Sequence, residues 1–132
     1  LLILDLDNFK GINDVFGHPC GDYVLQEIAI KLRTLFPDAI SAARVGGDEF
    51  MLALADAAPQ EVEHSFSLLS LETERLSWHG QMLSAGCSMG ACQASRPGIT
   101  YDELYDAADR ALYQAKRLGK GRFICCELAP TL

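Results

Sequence analysis

No stretch of this 132-residue sequence approaches the roughly 20 consecutive apolar residues of a membrane span, so it carries no candidate for one. A signal peptide is missing too, since Leu1-Leu2-Ile3-Leu4 is too short and meets Asp5 at once. Position 1 is not a methionine. The chain opens inside an apolar run and reads as one domain, 1–132, excised from a larger multidomain protein. Basic residues are scarce, 11 Lys+Arg against 18 Asp+Glu, for a net charge of −7. Nonspecific binding to nucleic acid or to an anionic membrane needs a basic face, so both are disfavoured. A phosphorylated small molecule is not, because acidic residues that hold magnesium recruit phosphate through the metal. No C-x-x-C pair occurs among the five cysteines, Cys20, Cys87, Cys92, Cys125 and Cys126. They read as reduced cytoplasmic thiols rather than as disulfides or a zinc site. Repeats, linkers and low-complexity segments are absent as well. What remains is a composition 49% hydrophobic and 22% charged, enough for one buried core.

Leu1 to Leu4 is a continuous apolar run, as in a buried strand. Polar chain follows, with a short helix expected over Phe9 to Phe16. From Asp22 the apolar positions Leu25, Ile28, Ala29, Leu32, Leu35 and Phe36 keep helical spacing until Pro37. Ile40 to Val45 and Phe50 to Ala55 read as strands joined by the hairpin signal Gly46-Gly47-Asp48-Glu49. Pro59 opens a helix with Val62, Phe66, Leu69 and Leu76 along one face. Between Leu83 and Ala91 apolar and small residues alternate, which predicts a half-buried strand. Thr100 and Glu103 form a capping box. The helix they start buries Leu104, Ala107, Ala108, Ala111, Leu112 and Ala115, and Gly119 stops it. Tyr105 and Tyr113 read as packing residues on it. Phe123 to Leu128 is the last strand. This order suits an α+β fold, with helices packed on a mostly antiparallel central sheet.

Two groups of carboxylates resist a purely structural reading. Asp5 and Asp7, at the end of the first strand, project to the same side because strands alternate with a period of two. Two like charges so close resist ionising unless a cation sits with them. The bland alternative is a pair of solvated turn residues. In the second group, Gly46 and Gly47 allow positive φ and close approach of another molecule, while Asp48 and Glu49 put carboxylates at the hairpin tip. If strand and hairpin are neighbours, these groups converge into an oxygen-rich site for Mg2+ and phosphate.

With these residues in view the chain resembles the GGDEF family, whose active members are diguanylate cyclases. The signature stands as Gly46-Gly47-Asp48-Glu49-Phe50, preceded by Arg44. The family's D-x-D-x-F-K-x-x-N-D-x-x-G-H-x-x-G-D stretch is present from Asp5 through Lys10, Asn13-Asp14 and Gly17-His18 to Gly21-Asp22. Its A-D-x-A-L-Y-x-A-K segment runs from Ala108 to Lys116. The resemblance implies a nucleotidyl-cyclase, polymerase-palm-like fold with a ferredoxin-like βαββαβ core and additions. It also implies the metal ligands Asp5, the Leu6 carbonyl and Asp48, supported by Glu49, for Mg2+ or alternatively Mn2+. Asp48 matches the general base and Lys10 a cation that stabilises the reacting phosphates. Asn13 and Asp22 match the guanine readers, with N-capping as the plain reading of Asp22. Gly46 and Gly47 would let the nucleotide lie against bare backbone, and Lys116 and Lys120 match phosphate contacts. His18 reads as structural.

The implied activity is diguanylate cyclase, condensing two GTP into cyclic di-GMP across a homodimer, with control by an upstream sensory or dimerising domain. The rival is an idle domain of the same family that binds GTP and regulates an attached domain. Three departures stand out. Gly119-Lys120-Gly121-Arg122 replaces the usual G-R-N-R, so Lys120 keeps a charge without the arginine fork. The product-inhibition motif R-x-x-D is replaced around Phe36-Pro37-Asp38-Ala39-Ile40. The family's helix before the first strand, with its D-x-L-T-x-L-x-N-R motif, is absent.

Overall fold

Alternation along the first strand fixes the layers. A computed structural model describes residues 1–95 and 97–128, and in it β1 (Leu2–Leu6) lies at the centre of a five-stranded sheet. Successive side chains point to opposite faces, so Leu2, Leu4 and Leu6 enter one apolar cluster and Ile3 enters another. Three helices cover the first cluster: α1 (Phe9–Phe16), α2 (His18–Leu35) and α3 (Pro59–Thr73). They contribute Ile12, Val24, Ile28, Leu32, Val62, Phe66 and Leu69. One helix, α4 (Tyr101–Arg117), covers the second with Ala107, Ala108 and Leu112. Each fully buried Leu or Ile contributes about 1.5–3 kcal/mol. Asp5 continues the row of Ile3 and therefore lies on the α4 face.

The sheet runs β2 (Ser41–Gly46), β3 (Glu49–Ala53), β1, β6 (Cys87–Ala94), β7 (Phe123–Leu128). All neighbours pair antiparallel except β7, which runs parallel to β6. The expected α+β class with a mostly antiparallel sheet is therefore what forms. The order β2-β3-β1-β6 is a ferredoxin-like core, and β7 is added at its edge. The capping box also forms, with Glu103 N–H donating to Thr100 Oγ1 and Thr100 N–H to Glu103 Oε2, each at 3.2 Å.

Several expectations need correction. Helix α2 starts at His18, not Asp22, with Pro19 in its first turn, where a missing N–H costs nothing. Asp22 is therefore no N-cap. Glu49 is not at a hairpin tip either, because it pairs with Gly46 and only Gly47 and Asp48 form the turn. Helix α3 ends at Thr73, and Leu76 opens an unforeseen hairpin of β4 (Leu76–Trp78) and β5 (Gln81–Leu83). Its turn residues His79 and Gly80 have φ of 49° and 79°. A tight hairpin turn needs two such left-handed residues, and histidine at the first of them hid the signal.

The strand expected from Leu83 spans Cys87–Ala94, and Cys87 to Cys92 are buried on both faces rather than half-buried. The small residues opposite the apolar row are a docking face for α4. A Cβ on Gly90 would collide with the backbone of Ala108 and Leu112. The alanines of α4 let it lie this close.

All five cysteines are free, and Cys20, Cys87 and Cys92 are buried. Burial, with the nearby Asp7 charge, pushes the Cys87 thiol from 9.0 up to about 12. Between these values the folded chain holds a proton that the unfolded chain has released. Cys87 thus favours folding fully below about pH 9 and loses that contribution as pH rises towards 12, by up to about 4 kcal/mol. Denaturant unfolding across this range is expected to show stability falling with pH, with a shallower fall in Cys87→Ala.

Candidate active site

The acidic groups meet at one end of β1. Asp5 lies opposite Glu49 of β3 in the antiparallel register. The next residue, Leu6, donates its N–H to the Asp48 carbonyl at 3.3 Å, which fixes the Gly47-Asp48 turn beside β1. The condition set by the sequence, that strand and hairpin be neighbours, is met. Helix α4 crosses this face, and Lys116 stands one turn beyond Leu112. Its Nζ donates to Asp5 Oδ2 at 2.7 Å and to the Leu6 carbonyl at 3.4 Å, with Asp7 Oδ1 at 4.0 Å.

Charge crowding is visible in the titration of the site. The Asp48 carboxyl is pushed above its usual 3.8 by burial and then by the neighbouring Asp5 carboxylate. Burial pushes Glu49 up as well, followed by the charges of Asp5 and Asp109, while a hydrogen bond from Tyr105 Oη at 3.5 Å opposes the shift. Asp5 Oδ1 is buried with no hydrogen-bond partner. With both carboxylates ionised this oxygen faces no donor, and either a proton shared with Asp48 or a divalent cation would answer it.

The donors therefore fit a hard cation. Among the described residues no three His, Cys, Asp or Glu side chains stand in ligand geometry around one point. A set of two carboxylates, Asp5 and Asp48, and the Leu6 carbonyl needs no third side chain. The Lys116 ammonium already shows that Asp5 Oδ2 and the Leu6 oxygen converge on a positive charge.

The remaining sequence candidates fall around this centre. Asn13 on α1 packs onto Gly21 of α2, where a Cβ would strike its Oδ1, and that oxygen is buried without a partner. Asp22 follows Gly21 directly and is exposed. The two expected guanine readers are thus neighbours at the α1–α2 junction. Gly46 and Gly47 are exposed, and a Cβ on either would meet nothing. Only Gly47, with φ of 23°, has positive φ. Lys120 Nζ reaches the Asp7 carbonyl at 3.4 Å. Lys10 is exposed, and no ion pair involves it among the described residues. His18 is exposed too, at the first position of α2, so the structural reading of a packed side chain does not hold. Tyr105 holds Glu49 in addition to packing, and Tyr113 is 64% exposed, with Arg117 over its ring at 5.9 Å. A concavity of about 510 Å³ opens elsewhere, lined by Leu1, Leu2, Pro59, Val62 and Phe123 among others. The carboxylates at the end of β1 are half-buried.

Acidic groups on a central strand and on the adjoining hairpin, in a βαββαβ frame, define a palm-type domain. The sequence model described as diguanylate cyclase, GGDEF domain, matches residues 1–122. Diguanylate cyclase DgcS of Shewanella oneidensis is 39% identical over 136 residues, covering 99% of this chain and 42% of its own length. Among solved structures, diguanylate cyclase SiaD from Pseudomonas aeruginosa, in complex with its activator SiaC, is similar with a TM-score of 0.83 and 31% identity. That match covers 95% of this chain and 48% of SiaD. The GGDEF domain of DgcB from Caulobacter crescentus, in complex with c-di-GMP, gives 0.81 and 30%, covering 94% of this chain and 75% of that one. The chain belongs to the GGDEF family. It spans about two fifths of the length of DgcS, and none of its helices is long and apolar enough to cross a membrane among the described residues.

Proposed function

We propose that the domain is a diguanylate cyclase, condensing two GTP into cyclic di-GMP with release of pyrophosphate. The observation that carries this reading is the docking of the Gly47-Asp48 turn on the end of β1, where Leu6 N–H bonds the Asp48 carbonyl and the Asp5 carboxylate and Leu6 carbonyl share one cation, Lys116. These three groups would hold Mg2+, or alternatively Mn2+, with Glu49 in support. The bound ion would supply charge neutralisation on the triphosphate. Asp48, its carboxyl raised above the usual carboxylate range by burial and by Asp5, accepts the proton of the ribose 3′-hydroxyl as that oxygen attacks the α-phosphate. Lys10, Lys116 and Lys120 offset charge on the phosphates, and Lys116 leaves the carboxylates to do so. Asn13 and Asp22 read the guanine edge through directional hydrogen bonds, which separates GTP from ATP.

One open face cannot hold both reacting nucleotides in line, so two domains meet around a two-fold axis and each attacks the other's GTP. An upstream sensory or dimerising segment of the parent protein sets this encounter in the cytoplasm. Incubation with GTP and Mg2+ is expected to yield cyclic di-GMP and pyrophosphate, with no cyclic product from ATP. Intact GTP after the same incubation of a forcibly dimerised form would overturn the reading.

Gly46 offers a cleaner test. Its φ is ordinary and its Cβ would meet open space, so folding does not require glycine there. Gly46→Ala is expected to leave stability within about 0.5 kcal/mol while raising the KM for GTP. Product inhibition is expected to be absent, because the segment from Phe36 to Ile40 has no Arg to pair with Asp38. Initial rates with added cyclic di-GMP check this, and inhibition that mutations in this segment relieve would contradict it.

A further inference from the structure

The strand period puts Asp7 on the same side as Asp5, where a cation would be needed to hold both. Asp7 does face that side, yet its carboxylate is already occupied. Ser88 Oγ donates to Oδ1 at 2.6 Å, and the Gly121 N–H donates to Oδ2 at 3.0 Å. The same N–H lies 3.0 Å from Ser88 Oγ, which closes a ring of three polar groups. Ser88 is fully buried and the Asp7 side chain is 11% exposed. The ring ties the end of β1 to β6 and to the loop that follows α4.

That loop needs tying. Gly119, Lys120 and Gly121 have φ of 119°, 64° and 62°. Glycine takes such values freely, whereas a lysine there costs on the order of 1 kcal/mol. The Lys120 N–H donates to the Ala115 carbonyl at 3.0 Å in a Schellman closure of α4. Lys120 Nζ returns to the Asp7 carbonyl. The departure from the family's pattern at position 121 also makes sense here. Asparagine and glycine are the residues that tolerate left-handed backbone, and Gly121 has φ of 62°.

We propose that Asp7 is a positioning residue and not a metal ligand: with Ser88 it anchors the Gly121 amide and so sets Lys120 against the phosphates of GTP. This rests on the cyclase reading for the role of Lys120, but the anchor itself does not. Each Asp7 oxygen already accepts a hydrogen bond, Oδ1 from Ser88 and Oδ2 from Gly121, and the side chain is nearly buried, so its lone pairs are turned to β6 and the loop rather than to the Asp5–Leu6 oxygens. Asp7→Asn leaves one uncharged acceptor oxygen where the carboxylate offers two, which weakens the hold on the Gly121 N–H, and Ser88→Ala removes a corner of the ring without touching Asp7.

Two readouts on the full chain test the proposal. Amide hydrogen exchange of the nucleotide-free protein is expected to speed up at residues 119–122 in both variants, and unchanged exchange there would overturn the anchor. Kinetics with GTP are expected to show KM roughly tenfold higher in Asp7→Asn and in Lys120→Ala, with kcat within about twofold. Because both changes remove the same lysine contact, the double variant should match Lys120→Ala alone. The Mg2+ concentration for half-maximal rate should not move. Multiplying KM effects, or a large shift in Mg2+ requirement in Asp7→Asn, would overturn the proposal in favour of a ligand role. If Asp7→Asn does not fold, Ser88→Ala carries both readouts. An inactive wild-type chain would sink the cyclase reading, and the exchange readout would still decide the anchor.

Discussion

Replacing Asp48 with Asn is expected to cut cyclic di-GMP formation by roughly three orders of magnitude or more while leaving the nucleotide-free fold as stable as before, or more stable. The first half follows from the two tasks that fall on one carboxylate. In the proposed mechanism it would hold the ion with Asp5 and take the 3′-proton, and general-base catalysis alone is worth about 10²–10⁴. The second half follows from its surroundings. Burial and the charge of Asp5 both disfavour ionised Asp48, so an isosteric neutral amide relieves repulsion instead of creating a hole. Loss of activity with a gain in stability is the mark of a residue kept for function at a structural cost. A thermal melt and a product assay on the same sample read both. A fall in melting temperature that accompanies the lost activity would mean that Asp48 acts through the fold.

Gly90→Ala is expected to do the reverse, damaging the fold first and the site as a consequence. Elsewhere in a strand, Gly→Ala gains about 0.5–1 kcal/mol, because alanine gives up less backbone freedom. At position 90 the new methyl has no room, since the atoms it meets are the backbone of Ala108 and Leu112. A backbone atom cannot rotate aside, so α4 as a whole must lift from the sheet. Overpacking of this kind costs roughly 3 kcal/mol, or about 10 °C in melting temperature for a domain of this size. Lys116 rides on the next turn of α4, so the lift also draws its ammonium away from Asp5 and Leu6. The expected result is a lower melting temperature together with a raised KM for GTP. Gly46→Ala serves as the comparison, because there the added methyl meets nothing.

The acidic site was largely legible in the sequence, because its pieces are contiguous. Asp5 lies on β1 with Asp7 just past its end, and Asp48 follows two glycines, so period and turn chemistry bring out the carboxylates before any fold is known. The first helix and the last strand emerge at their expected bounds for the same local reason. What stayed hidden depends on partners far along the chain. Ser88 and Asp7 are 81 residues apart and Gly121 is 114 from Asp7, so nothing local marks Asp7 as an anchor. Tyr105 reads as packing until β3 brings Glu49 to it. The small residues of β6 look like a solvent face because alternation alone cannot say whether the far side is covered by water or by α4. The His79-Gly80 turn was missed because the recognised hairpin signals are Asn-Gly and Asp-Gly, not His-Gly.

Electron paramagnetic resonance of Mn2+ in the presence of GTP tests the shared cation most directly. The wild-type chain is expected to bind one Mn2+ tightly, and Asp5→Asn and Asp48→Asn are each expected to abolish that signal, since the ion needs strand and hairpin together. A tight Mn2+ that survives either substitution would contradict the account, because the two segments would then not be holding the same ion.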